Sequence, residues 1–143
     1  MVLYIIVALF AISACEPDLT DDAIPWQPFD IIQLNLNLPE YIKLKTDGSH
    51  VYLNNGGVRG IILYHQTGSN YLAYERNCSF EPNSACATVE VHASTLYMFC
   101  ACCSSYFDFA TGYPTGGPAW RPLRRYETSL SGSTLTITDQ IVE

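Results

Sequence analysis

Six cysteines and three histidines carry most of the reactive chemistry in this 143-residue chain. Five of the cysteines fall between Cys78 and Cys103, and three of these share the run Cys100-Ala101-Cys102-Cys103. Closely spaced thiols support three kinds of chemistry. They pair as disulfides in an oxidising compartment, ligate soft metals, or exchange disulfides with a substrate. Exchange wants an attacking thiol at a helix N-terminus, where its pKa is depressed. The Cys100 run lies between strand-like segments, so that use finds little support. The histidines are His50, His65 and His92. His65 and His92 read as strand residues, where an imidazole satisfied by its neighbours is the commoner outcome. Hydrolytic chemistry lacks its motifs: there is no Gly-x-Ser-x-Gly, no His-Glu-x-x-His and no phosphate-binding glycine loop. Asp108 and Glu127 read as surface or loop-bonding carboxylates. Arg121, Arg124 and Arg125 form the only basic cluster, a solvated strand edge or a face toward an acidic partner.

The elements that must hold these residues are strands. Ile32, Leu34, Leu36 and Leu38 alternate with polar residues, the period of a half-buried strand. Val51–Leu53 is a short strand followed by the turn Asn54-Asn55-Gly56-Gly57. Arg59–His65, with Ile61-Ile62-Leu63-Tyr64, reads as a central strand, and Tyr71–Tyr74 as another. Thr88–His92 and Thr95–Phe99 form a predicted hairpin. Tyr106–Phe109, Arg124–Leu130 and Thr134–Thr138 complete the set. No segment has a helical period. The expected fold class is all-β, a small antiparallel sandwich or barrel.

The N-terminal residues read differently. Residues 2–12 are apolar and uncharged, too short to span a bilayer but suited to the core of a signal peptide. They lead into Ile12-Ser13-Ala14-Cys15, which resembles a bacterial lipobox, with Cys15 as the lipidated residue. No Lys or Arg precedes the core, a departure from the usual pattern. The expected organisation is a signal peptide over 1–14, an acidic, proline-rich tether over 15–30 and a β domain over 31–143. Pro17, Pro25 and Pro28 break any helix in the tether, and Trp26 and Phe29 dock its end on the domain. The localisation that follows is the bacterial cell envelope: the outer membrane, the periplasmic face or the cell surface. A net charge of -7 argues against nucleic acid and against a polybasic membrane patch. The expected partners are the membrane, through the lipid, and an envelope protein. Ten Tyr and two Trp are compatible with a binding surface for protein or glycan.

The segment from Arg76 to Ile137 carries a more specific pattern. It holds Cys78-Ser79-Phe80, Cys86, Cys100-Ala101-Cys102-Cys103-Ser104-Ser105-Tyr106-Phe107-Asp108, Gly112, Gly117-Pro118-Ala119, Pro122-Leu123, Tyr126 and Thr134-Leu135-Thr136-Ile137. In order and spacing this resembles the Rieske iron–sulfur domain. In that family a Cys-x-His loop and a Cys-x-x-His loop clamp a [2Fe–2S] cluster beneath a Gly-Pro-Ala loop. The resemblance puts Cys78 and Cys100 at the thiolate positions and Gly117, Pro118 and Ala119 in the covering loop. It also implies a disulfide between Cys86 and Cys102.

The chain departs from the family at both imidazole positions, which Phe80 and Cys103 occupy. Phe has no lone pair for iron, and a Rieske centre needs two imidazoles on its second iron. The resemblance therefore implies a Rieske-fold lipoprotein that has lost its cluster, is not an enzyme, binds no cofactor and acts as a structural or interaction module. Two of Cys78, Cys100 and Cys103 would then pair as a second disulfide, Cys78 with Cys100 or Cys78 with Cys103, leaving one buried thiol. The alternative is an electron-transfer protein binding [2Fe–2S] through Cys78, Cys100, Cys103 and a fourth ligand. A zinc site on the same three cysteines, completed by His or water, is a further option.

Overall fold

The computed structural model describes residues 22–142 as ten strands and one 3-10 turn. In chain order the strands are β1 Ile32–Asn35, β2 His50–Leu53, β3 Ile61–Thr67, β4 Asn70–Glu75 and β5 Val89–Val91. They continue as β6 Met98–Cys100, β7 Ser105–Phe107, β8 Pro114–Gly116, β9 Arg125–Ser131 and β10 Thr134–Val142. All pairings are antiparallel. Six strands form a curled sheet in the order β1-β10-β9-β4-β3-β2, and four form a small sheet in the order β5-β6-β7-β8.

The two sheets enclose two cores, and β3 and β4 serve both. Ile61, Leu63, Tyr71 and Ala73 point into the core closed by the large sheet, with Ile32, Leu34, Val51, Leu135 and Ile137. Ile62, Leu72 and Tyr74 point the other way, onto Val89, Met98 and Phe107 of the small sheet. Side chains alternate along a strand, so a strand buried on both faces reads as an unbroken apolar run. That explains Ile61-Ile62-Leu63 and Tyr71-Leu72-Ala73-Tyr74.

Several expected boundaries move. The first strand stops at Asn35, because the Asn35 side chain accepts the Asn37 N–H at 3.0 Å and its carbonyl accepts the Leu38 N–H at 3.0 Å. Leu36 stays buried, but Leu38 turns out to solvent. The chain then makes the 3-10 turn Ile42–Lys45, which buries Leu44 and which no periodicity announces. The predicted hairpin forms with shorter arms, β5 and β6, paired Val89 to Cys100 and Val91 to Met98. The last strand runs past Thr138 to Val142 through an irregularity between Ile137 and Ile141. β8 is a further addition; its Pro114 is tolerable because the strand lies at the sheet edge.

Residues 22–30 form no regular element, yet they lie against the domain. Arg124 donates to the carbonyls of Ile24 and Pro25, and Arg121 donates to that of Asp22 at 2.7 Å. Phe29 meets Tyr126 edge-on with ring centroids 5.0 Å apart, and the Trp26 indole N–H reaches the Asp139 carbonyl at 3.4 Å. The basic cluster is thus no open face: two of its arginines hold the incoming chain. Cys15 and the expected signal peptide lie outside the described residues. Among the described residues no helix is long and apolar enough to cross a membrane.

Candidate thiol site

The site is built from two loops and a cover. The first loop leaves β4 at Glu75, a carboxylate with no exposed surface. Its oxygens accept the backbone N–H groups of Val58 at 2.7 Å, Arg59 at 3.0 Å and Asn77 at 2.9 Å, and the Tyr126 hydroxyl at 2.7 Å. A buried carboxylate is tolerated when its lone pairs are filled this way. The effect is to lock the start of the loop to the Gly57 turn. Arg59 then spans the loop, donating to the Asn77 side chain at 2.5 Å, the Ala85 carbonyl at 2.8 Å and the Ser84 carbonyl at 2.6 Å. Cys78 is fixed within the loop by its N–H to the Ala87 carbonyl at 2.9 Å.

The second loop is the tight turn between β6 and β7. Cys100 pairs with Ser105 across it, and the Ser104 N–H returns to the Cys100 carbonyl at 2.8 Å. Ser104 takes a left-handed φ of 59° to make the reversal. The turn sends Cys102 toward Cys86 and Cys103 back toward Cys78. Cys102 is joined to Cys86 by a disulfide with Cα atoms 5.4 Å apart, which ties the two loops together.

The cover is the Gly117-Pro118-Ala119 segment. The Ala119 N–H donates to the Ser105 hydroxyl at 3.0 Å, and the same oxygen accepts the Cys103 S–H at 3.1 Å. Gly117 has φ of 85°, and a Cβ there would stand 2.5 Å from the Ser105 Cα. Only glycine lets the cover approach this closely.

Cys78, Cys100 and Cys103 converge under this cover. Their sulfurs all lie within 4.8 Å of one another, and the Cys78 and Cys103 sulfurs are 3.6 Å apart. Cys78 and Cys100 are buried and Cys103 is half-buried. All three are thiols, so the expected second disulfide does not form; 3.6 Å is far beyond the ~2.05 Å of a sulfur–sulfur bond. A hydrogen bond from Cys78, helped by backbone N–H groups of Cys103 and Cys102, holds the Cys100 thiol down at about 5 against the opposing effect of burial. The Cys78 thiol is pushed up, first because it donates to Cys100 and then by burial. Burial also raises Cys103. The arrangement favours one thiolate shared by three sulfurs.

The other expected ligand positions do not contribute donors. Phe80 is half-buried and packs on the second core. His65 stacks on Tyr71 at 4.3 Å and bonds the Gly68 carbonyl at 2.9 Å; His92 stacks on Tyr97 and meets the Ser94 hydroxyl; His50 meets the Tyr52 ring edge-on. Among the described residues, the three cysteines are the one group of three or more His, Cys, Asp or Glu placed to hold a metal. A cavity of about 550 Å³ lies elsewhere, lined by Ile24, Tyr113, Arg121, Leu123 and Val142, with no cysteine in its wall. The donor set does not fit a two-thiolate, two-imidazole [2Fe–2S] centre: the two thiolate positions are present, but neither imidazole is.

Cys78, Cys100 and Cys103 were thus legible as converging residues, as was the Cys86–Cys102 pair; the Gly117–Ala119 segment lies against the second loop through Ser105. Glu75 and Arg59 were not legible. Arg59 has one signal, a charge beside an apolar strand with no acidic residue within ten positions; Glu75, followed directly by Arg76, has none.

Comparison with known proteins gives the fold. No protein-family profile and no curated protein matches the chain. Among solved structures, a chain of the complex of reduced oxygenase and oxidized ferredoxin in carbazole 1,9a-dioxygenase is 15% identical, with a TM-score of 0.50 over 85% of this chain and 99% of that one. The ferredoxin of carbazole 1,9a-dioxygenase from Nocardioides aromaticivorans IC177 is 20% identical, covering 65% of this chain and 86% of that one, with a TM-score of 0.44. The architecture is a Rieske-like, all-β ferredoxin fold, and at these identities the likeness extends to the fold alone.

Proposed function

We propose that this chain is a membrane-anchored Rieske-fold lipoprotein that carries no [2Fe–2S] cluster and serves as an interaction module of the cell envelope rather than as an enzyme. The observation that carries this reading is the occupancy of the two imidazole positions, Phe80 and Cys103. The first offers no donor, and the second offers a thiol in place of an imidazole, its sulfur 3.6 Å from that of Cys78. Support for an interaction role comes from the small sheet, where His92, Tyr97, Phe99 and Tyr106 form a chain of ring contacts at 4.4–6.2 Å, with Tyr106 exposed. Aromatic surfaces of this kind are enriched at protein interfaces. The lipid would sit on Cys15, at the head of the tether that ends in the docked Trp26 and Phe29.

The test is anaerobic purification followed by visible absorption and analysis for iron and acid-labile sulfide. The reading expects a colourless protein with neither. Two irons and two sulfides per chain would overturn it in favour of electron transfer through a cluster on Cys78, Cys100 and Cys103 with a fourth donor.

A further inference from the structure

We propose that Cys78, Cys100 and Cys103 together bind one thiophilic closed-shell cation, with three-coordinate Cu(I) the best match and Zn(II) the other member of the class. The inference rests on the cluster-free reading, since the same sulfurs cannot serve both. Three observations carry it. The first is spacing. Ligands around a tetrahedral ion with metal–sulfur bonds of about 2.3 Å lie about 3.8 Å apart. The Cys78 and Cys103 sulfurs, at 3.6 Å, already match such an edge, and all three lie within 4.8 Å of one another. They surround one point, rather than marking the two ends of a two-iron cluster.

The second observation is the surrounding shell. The Ser105 hydroxyl lies 3.1 Å from the Cys103 sulfur and is itself fixed by the Ala119 N–H at 3.0 Å. Outer partners of this kind orient the ligands of metal sites. The third is rigidity. The Cys86–Cys102 disulfide, the Arg59 clamp and the Ser105–Ala119 bond hold both loops and the cover, so the ordering is done before an ion arrives. Where a fourth ligand would come from the first loop, Phe80 has none. Soft thiolates select Cu(I) and zinc. Zn(II) wants four ligands and needs a water on the partly open Cys103 side, whereas Cu(I) accepts three. Binding forms three metal–sulfur bonds, releases the remaining thiol protons to solvent and changes no oxidation state.

The experiment uses the full chain, handled anaerobically with the Cys86–Cys102 bond intact. Cu(I) is presented as its complex with a chromophoric chelator, and Zn(II) is titrated separately against a zinc indicator. The expected result is uptake of one equivalent per chain. Loss of an outer-shell partner alone costs roughly 10–100-fold, so Cys100→Ser should weaken uptake by at least ~100-fold. Since that variant removes a buried side chain, a second readout needs no substitution: one equivalent of metal should protect Cys78, Cys100 and Cys103 from alkylation, mapped by peptide mass spectrometry. Uptake well below one equivalent of either ion, or uptake that survives Cys100→Ser unchanged, overturns the proposal and leaves the cluster-free reading standing. Iron with equimolar sulfide on these cysteines overturns both.

Discussion

Glu75 and Tyr126 face each other at the back of the first cysteine loop, and the carboxylate takes four hydrogen bonds where no water reaches it. Hydrogen bonds to a charged group are worth about 1.5–3 kcal/mol each, and stranded buried donors cost more than the bond alone. Tyr126→Phe should therefore cost about 2 kcal/mol, and Glu75→Ala more than that, read as lower denaturant midpoints with an unchanged slope. Cys100 provides a pH-dependent signature for the metal-free protein. Its thiol is held down at about 5, whereas Cys78 and Cys103 are pushed up. Near-ultraviolet absorbance should show one thiolate at pH 7 that disappears as pH falls through about 5 and is absent from Cys100→Ser. The linked stability grows from pH 5 up to the ordinary thiol value of ~8.5, then falls above it as the unfolded chain ionises Cys78 and Cys103 first. At this scale the cysteines were legible because the Rieske-like spacing placed them. Glu75 and Arg59 were not, because a carboxylate in Tyr-Leu-Ala-Tyr-Glu looks like the polar end of a strand until the three-dimensional donors are known.

The elements around the site are loops stapled to short strands, and their stability depends on a few ties. The Cys86–Cys102 disulfide spans a separation of 16 residues, which in the chain-entropy model is worth about 3 kcal/mol. Cys86→Ser should lower the melting temperature and release Cys102 as an alkylatable thiol; an unchanged melt would contradict the role assigned to the bond. Gly117→Ala tests the cover. The new methyl would meet the Ser105 backbone at 2.5 Å and force a side chain into a left-handed conformation. It should cost at least ~2 kcal/mol and loosen the cover over Cys103, seen as faster alkylation of that thiol. Periodicity revealed β3 and β4 because burial on both faces leaves unbroken apolar runs. It missed β8, whose Pro114-Thr115-Gly116 reads as turn chemistry, and the 3-10 turn, whose one buried side chain, Leu44, makes no pattern. It carried the first strand too far, since the local Asn35 bonds outweigh the alternation beyond it.

At the scale of the whole molecule, a Rieske-like domain is joined by a chain that arrives along its side. Residues 22–30 are held by Arg121, Arg124 and Tyr126, so the proposed anchor at Cys15 would leave only a short stretch between lipid and domain. Cys15→Ser should move the protein from the detergent phase to the aqueous phase on partition of cell envelopes, with no change in the melting temperature of the domain. Unaffected partition would show that Cys15 carries no lipid anchor. In the proposed function the fold persists while the cluster has been given up with the imidazoles. The most direct measurement compares two proteins under anaerobic reconstitution with iron and sulfide: the natural chain, and the double variant Phe80→His with Cys103→His. The double variant should acquire two irons, two sulfides and visible absorption, while the natural chain should stay colourless. Stoichiometric iron and sulfide on the natural chain would contradict the proposed function.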